Sequence, residues 1–213
     1  MFITRHLTFS ILLHLPFLGS AQALWEKQWL HQLADNRSTG KNQFYATVSD
    51  LNAPLTIGVP IGWIAIGLLD NNPLRTKEGM TWLAAQLVNG GATYFMKAVF
   101  NRPRPAVSDP TLVALEDVRI HSFPSGHTSS AFALATSLSL DHPKWFVIAP
   151  AYLYAALVGY SRCYLGVHYP SDVIAGAALG SASAWLTHAL SDRLLEKSAK
   201  KKAKPKLAYT YIY

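Results

Sequence analysis

Apolar and small-residue stretches recur along this chain, separated by short polar connections. Residues 54–69 carry no charge, and residues 80–99 are more polar and contain Lys97 near their end. Residues 126–140 are rich in serine, alanine and leucine, residues 145–160 are strongly apolar and aromatic, and residues 172–190 are rich in alanine, glycine and serine after Asp172. The pattern predicts five helices of roughly 16 to 20 residues, the lower edge of what crosses a bilayer. Small residues such as those of Gly176-Ala-Ala-Leu-Gly180 let helices approach closely, in a membrane or in a soluble bundle. Between residues 25 and 50, Trp25, Trp29 and Leu33 stand at helical spacing. They predict a short amphipathic helix, at an interface or with its tryptophans in a core, followed by a loop through residues 36–40.

The N-terminus opens with Arg5 and His6, an apolar run over residues 7–18, and Ala21-Gln-Ala23. This reads as a secretory signal with an A-x-A cleavage pattern, against an uncleaved first membrane helix. Either reading sends the residues that follow out of the cytoplasm. The expected organisation is a signal or first helix over 1–23, a helical domain over 24–190 and a basic tail over 191–213. The expected fold is all-α, a helical bundle embedded in a membrane with five to six transmembrane helices; a soluble secreted bundle is the competing architecture.

Composition favours the membrane. Half of the 213 residues are hydrophobic and 15% are charged, against about 25% charged in ordinary soluble domains; the mean hydropathy is +0.15. The net charge of +7 is concentrated in residues 192–206, where seven basic residues face two acidic ones. The body therefore has no basic stripe for nucleic acid, and a basic run after an apolar helix marks a cytoplasmic side. The single cysteine, Cys163, permits no internal disulfide and lies in an apolar run where packing explains it.

Threading the segments back and forth from an exit near residue 24 puts Arg75, Lys77 and the lysine tail inside. It puts Lys97, Arg104, Ser125, His127, Arg162 and His168 together outside, in agreement with the positive-inside tendency.

Those outer residues form three clusters: Lys97 to Pro105, Pro124-Ser-Gly-His127, and Ser161-Arg162 with His168 and Asp172. Lys97, Arg104 and Arg162 are three cations suited to gripping phosphoryl oxygens. Arg102 is an alternative to Arg104 in that set. Ser125 is a helix N-cap candidate, and Gly126 lets backbone amides approach an anion. His127 in the first turn can protonate a leaving alkoxide. Asp172, four residues after His168, either makes a structural hydrogen bond or fixes the tautomer and frees the second ring nitrogen to attack. As metal ligands, His121, His127, His168, Asp172 and Asp109 lack any recognised spacing, and the three cations would repel a metal.

Together the clusters read K-x6-R-P, P-S-G-H and S-R-x5-H-x3-D, which resembles the type 2 phosphatidic acid phosphatase superfamily, relatives of class A acid phosphatases and vanadium haloperoxidases. The motifs span residues 97–172 and the helical frame most of 54–190. The resemblance implies that His168 is the nucleophile of a phosphohistidine intermediate, oriented by Asp172, and that His127 is the general acid. It implies that Lys97, Arg104, Ser125, Gly126 and Arg162 bind the phosphoryl group, with Ser161 positioning its loop, and that no metal or cofactor is needed.

The expected activity is hydrolysis of a lipid phosphomonoester or isoprenyl diphosphate at the periplasmic face of a bacterial-type inner membrane. No nucleic acid and no obligate protein partner are expected. The alternatives are a soluble periplasmic acid phosphatase, a vanadate-dependent haloperoxidase, for which the chain is short, and a non-catalytic lipid-binding protein, which would not need the His168–Asp172 pair.

Overall fold

The computed structural model describes residues 24–117 and 121–203, with side chains as far as Arg193. The reading of residues 1–23 and the last ten residues of the basic tail, 204–213, lie outside the described residues. Helix α1 covers residues 24–35, and α2 (Thr39–Asp50), α3 (Asn52–Leu69), α4 (Pro73–Phe100), α5 (Pro105–Ser108), α6 (Gly126–Asp141), α7 (Trp145–Tyr164) and α8 (Pro170–Ala203) follow. Among the described residues the only β contact is an isolated bridge between Pro103 and His121.

The helix ends follow local chemistry. Asn72 accepts the Arg75 N–H and Pro73 occupies the first turn of α4, while Asn101 closes that helix in the left-handed conformation (φ 43°). The turn releases Arg102-Pro-Arg104 as an extended connection before α5, because proline disfavours helix in the residue before it. Ser125 caps α6, accepting from the Thr128 N–H at 3.5 Å and the Thr128 hydroxyl at 2.9 Å.

The loop expected over 36–40 is confined to residues 36–38, and the residues after it form a helix that was not expected, α2, which continues into α3 across Leu51, whose N–H bonds the Thr47 carbonyl. Its sequence has no apolar period; aromatic packing on α7 holds it, with Tyr45 4.3 Å from Tyr164 and 5.3 Å from Tyr160 between ring centroids. In α1, Trp25 stays exposed and stacks on Trp29, which packs on Tyr160. The residues buried most deeply in α1 are Glu26 and Leu30.

Helix α6 sits centrally, packed on α4, α7 and α8. Ala85, Ala133 and Ala184 form the core where α4, α6 and α8 meet. The α6–α8 crossing depends on missing side chains: a Cβ on Gly176 would stand 2.6 Å from the Ser125 carbonyl oxygen, and one on Gly180 2.0 Å from that of Ser129. Gly180→Ala is expected to destabilise by about 2 kcal/mol, as overpacking a close contact does. Thermal denaturation in detergent reads this, and an unchanged melting temperature would refute the crossing.

The outside of the bundle is apolar. Leu69, Tyr94, Trp145 and Leu153 are each more than 70% exposed, whereas Ser129, Ser137, Ser161 and Asp172 are fully buried. This is the surface of a membrane protein. By length and composition, three helical stretches can cross a bilayer: Thr39–Leu69, Trp145–Tyr164 and Pro170–Arg193. At 16 residues, α6 reaches only about 24 Å, and α4, although long enough, is made too polar by residues such as Gln86 and Asn89, so neither has both the length and the apolarity of the other three.

Candidate active site

The site forms where the start of α6, the start of α8 and the loops around them converge. His168 lies in the turn between α7 and α8 and is 2% exposed. Its main-chain N–H bonds the Arg162 carbonyl, which ties the third motif to its own arginine. Asp172 follows Pro170 in the first turn of α8, and its Oδ2 lies 3.4 Å from His168 Nδ1. The same oxygen accepts the Tyr169 N–H at 2.9 Å and the Ser122 hydroxyl. The Asp172 carbonyl accepts the Ser125 N–H at 3.0 Å, so the helix N-terminus bearing Gly126 and His127 is hydrogen-bonded directly to the first turn of α8, which bears the carboxylate facing His168.

Charge gathers around this pair. Arg104 is buried and donates from Nη1 to the Val167 carbonyl, 3.1 Å away. Lys97 donates from Nζ to the His121 and Ser122 carbonyls at 3.1 and 3.3 Å. Arg162 is 3% exposed; its Nη1 donates to Ser49 Oγ and to both Glu116 oxygens at 3.0 and 2.7 Å. Its Nε is buried without a hydrogen-bond partner among the described residues. His127 lies in the field of Arg162, Glu116, Arg104 and Lys97 together. Burial pushes the His168 imidazole down to about 3; its hydrogen bond to Asp172 opposes that shift, and the Arg104 and Arg162 charges add to it. The ring is therefore neutral across ordinary pH, with Nε2 as the nitrogen turned away from Asp172.

All eight residues expected at the site thus assemble on one side of the bundle. Arg102, the alternative to Arg104, has a different employment. Its two amines bind Asp172 Oδ1 at 2.7 Å, Ser171 Oγ at 2.6 Å and Glu26 Oε2 at 2.8 Å. Of the other proposed metal ligands, Asp109 pairs with His31 at 3.2 Å. No three His, Cys, Asp or Glu side chains converge among the described residues. Cys163 is buried and free, packed with Leu30, Leu112 and Tyr169.

Four participants escaped the sequence reading: Glu26, Ser49, Glu116 and Ser122. Glu26 carries one signal, an acid spaced i, i+4, i+7 with Leu30 and Leu33 on the inward face of α1. Nothing local marks the other three.

A cleft of about 650 Å³ leads from Lys97, Gly126 and His127 along α3 and α4, past Thr56, Leu87 and Gly90. Its lining is mostly apolar, as suits a chain attached to a polar head. A larger cleft of about 850 Å³ lies beside the α3–α4 turn and the far part of α8. It contains none of the motif residues, so size does not locate the chemistry.

Residues 78–196 match the sequence profile of the PAP2 superfamily. An undecaprenyl-diphosphatase of Bacillus subtilis, BcrC, is 29% identical over 136 residues, 62% of this chain and 66% of that protein. The chain spans still less, 32–38%, of several other curated relatives. Among solved structures, Aquifex aeolicus LpxE aligns with a TM-score of 0.64 at 28% identity, covering 75% of this chain and 92% of its own. A transmembrane PAP2-type phosphatidylglycerolphosphate phosphatase of Bacillus subtilis aligns with a TM-score of 0.68 at 23% identity, covering 88% and 94%; at that identity it speaks for the fold alone.

Proposed function

The chain belongs to the PAP2 superfamily, and on that premise we propose that it is a membrane phosphatase hydrolysing a lipid phosphomonoester or diphosphate through a phosphohistidine on His168. The observation that carries this is the convergence of a buried His168–Asp172 pair, three cations and the N-terminus of α6 on one side of the bundle.

The phosphoryl oxygens bind Lys97, Arg104, Arg162 and the α6 N-terminus at Ser125 and Gly126, which together offset charge developing in an in-line transfer. His168 Nε2 attacks phosphorus while Asp172 stabilises the imidazolium forming on the other side of the ring. The bond from phosphorus to the leaving oxygen breaks, and His127 gives that oxygen its proton. Water then attacks the phosphohistidine, His127 takes up the water's proton, and inorganic phosphate leaves with His168 restored. Glu116 and Ser49 hold one amine of Arg162, which leaves the Nε edge for substrate.

The substrate's chain lies in the cleft along α3 and α4, and the extensive apolar exterior favours a lipid substrate over a soluble one. Helices α3, α4, α6, α7 and α8 would then make five crossings, with a sixth if residues 1–23 remain attached. The active side would face the periplasm. Lys77, which pairs with Asp192 at 3.2 Å, marks the opposite side, where the basic extension of α8 continues.

The test is phosphate release from undecaprenyl diphosphate, phosphatidylglycerophosphate, lipid A phosphate and phosphatidate by the purified protein in detergent, with and without EDTA. At least one lipid should be hydrolysed, at a rate EDTA leaves unchanged. Loss of all activity on chelation would overturn the metal-independent mechanism, and recovery of the protein in a detergent-free soluble fraction would overturn the membrane placement.

A further inference from the structure

Glu26 is 1% exposed, although it sits on a short helix whose neighbouring Trp25 is more than half exposed. A buried carboxylate is costly unless each oxygen has a donor, and here each does. Oε1 accepts the Ser171 N–H at 2.7 Å and Oε2 accepts from Arg102 Nη2 at 2.8 Å. The other amine of Arg102 reaches Asp172 Oδ1 at 2.7 Å and Ser171 Oγ at 2.6 Å. The guanidinium also lies 4.0 Å from the centroid of the Tyr169 ring. One planar fork thus bridges two carboxylates, and only the second of them touches His168.

The geometry points to Glu26 and Arg102 as positioning residues for the His168–Asp172 pair, an inference that rests on the phosphatase reading above. Arg102 fixes Oδ1 of Asp172, so that Oδ2 is aimed at Ser122, the Tyr169 N–H and His168. Alone, that guanidinium would neutralise Asp172 when a positive charge forms on His168 as nitrogen bonds phosphorus. The Glu26 carboxylate offsets Arg102 and returns a net negative charge to the side of the ring facing away from the substrate. A residue 142 positions before the nucleophile in the chain thereby acts on it through two hydrogen-bonded links, and α1 becomes part of the active site.

The experiment compares full-length wild-type protein, Glu26→Gln, Glu26→Asp and His168→Ala in detergent with dioctanoyl phosphatidate. Glu26→Gln keeps a carbonyl for the Ser171 N–H and removes the charge. It should lower kcat about tenfold or more, while KM and the inhibition constant of inorganic phosphate stay within about twofold and the melting temperature within a few degrees. Glu26→Asp should recover most of kcat. Wild-type kcat in Glu26→Gln, with His168→Ala inactive, overturns the positioning role and leaves the phosphatase reading standing. A parallel loss of kcat, phosphate binding and melting temperature without rescue by Glu26→Asp also overturns it, since that is a structural role. Full activity in His168→Ala overturns the underlying reading instead.

Discussion

Replacing His168 with alanine is expected to abolish phosphate release, a loss on the order of 10⁴-fold or more, as when a nucleophile that works as a unit with its partners is removed. Arg104, Arg162, Lys97 and the α6 N-terminus remain, so substrate and inorganic phosphate should still bind. Rapid acid quenching of the wild type with labelled substrate should trap a phosphoenzyme that is missing from the variant. Because burial holds the imidazole down to about 3, the neutral, attacking form persists as pH falls well below 6.5 and is lost only as pH approaches 3. The phosphoenzyme burst should therefore survive at pH 5. A burst that titrates away near 6.5, or a phosphoenzyme still formed by His168→Ala, would show that another group attacks.

His127→Ala should produce the second largest loss, and its size should depend on what leaves. A lipid alkoxide is a poor leaving group and needs its proton during bond cleavage, so a loss of about 10²- to 10⁴-fold is expected. With para-nitrophenyl phosphate, whose phenolate leaves readily, the first step should fall far less, and only the water-attack step would still miss its base. The comparison is the ratio of first-step rates for the two substrates in wild type and variant. An equal loss on both would mean that His127 binds the phosphoryl group and carries no proton to the leaving oxygen. Its placement in the first turn of α6, beside Gly126 and on the wall of the cleft along α3 and α4, supports the proton-donor role tested here.

Much of the frame was legible in the sequence because its signals are local. Uncharged residues 54–69, the Ser-Gly start of α6 and the Pro170 start of α8 each announce an element within a few residues. Helix α2 was not legible: its residues 39–50 lack periodicity, and what stabilises them is Tyr160 and Tyr164, more than a hundred positions away. Length and apolarity single out three crossing helices rather than the five or six expected, because α6 is only 16 residues long and α4, packed on neighbouring helices, carries polar residues such as Asn89 and Thr93 on its buried side. At the site, residue types and spacing pointed to the eight groups that gather there. The carboxylates that hold them, Glu26 and Glu116, could not be read, since their meaning lies in which arginine the fold brings to each.

The contact between α6 and α8 has a further consequence. Gly176 and Gly180 bring the two backbones together, and the Ser125 N–H bonds the Asp172 carbonyl across the join. The spacing between His127 and His168 is therefore set by a rigid crossing, whereas much of the cleft for the lipid is lined from α3 and α4. Under the proposed function, α6 and α8 fix the distance between the two histidines, and exchanging the cleft lining at Thr56, Leu87 and Gly90 is expected to change which lipid is accepted while leaving that distance as it is.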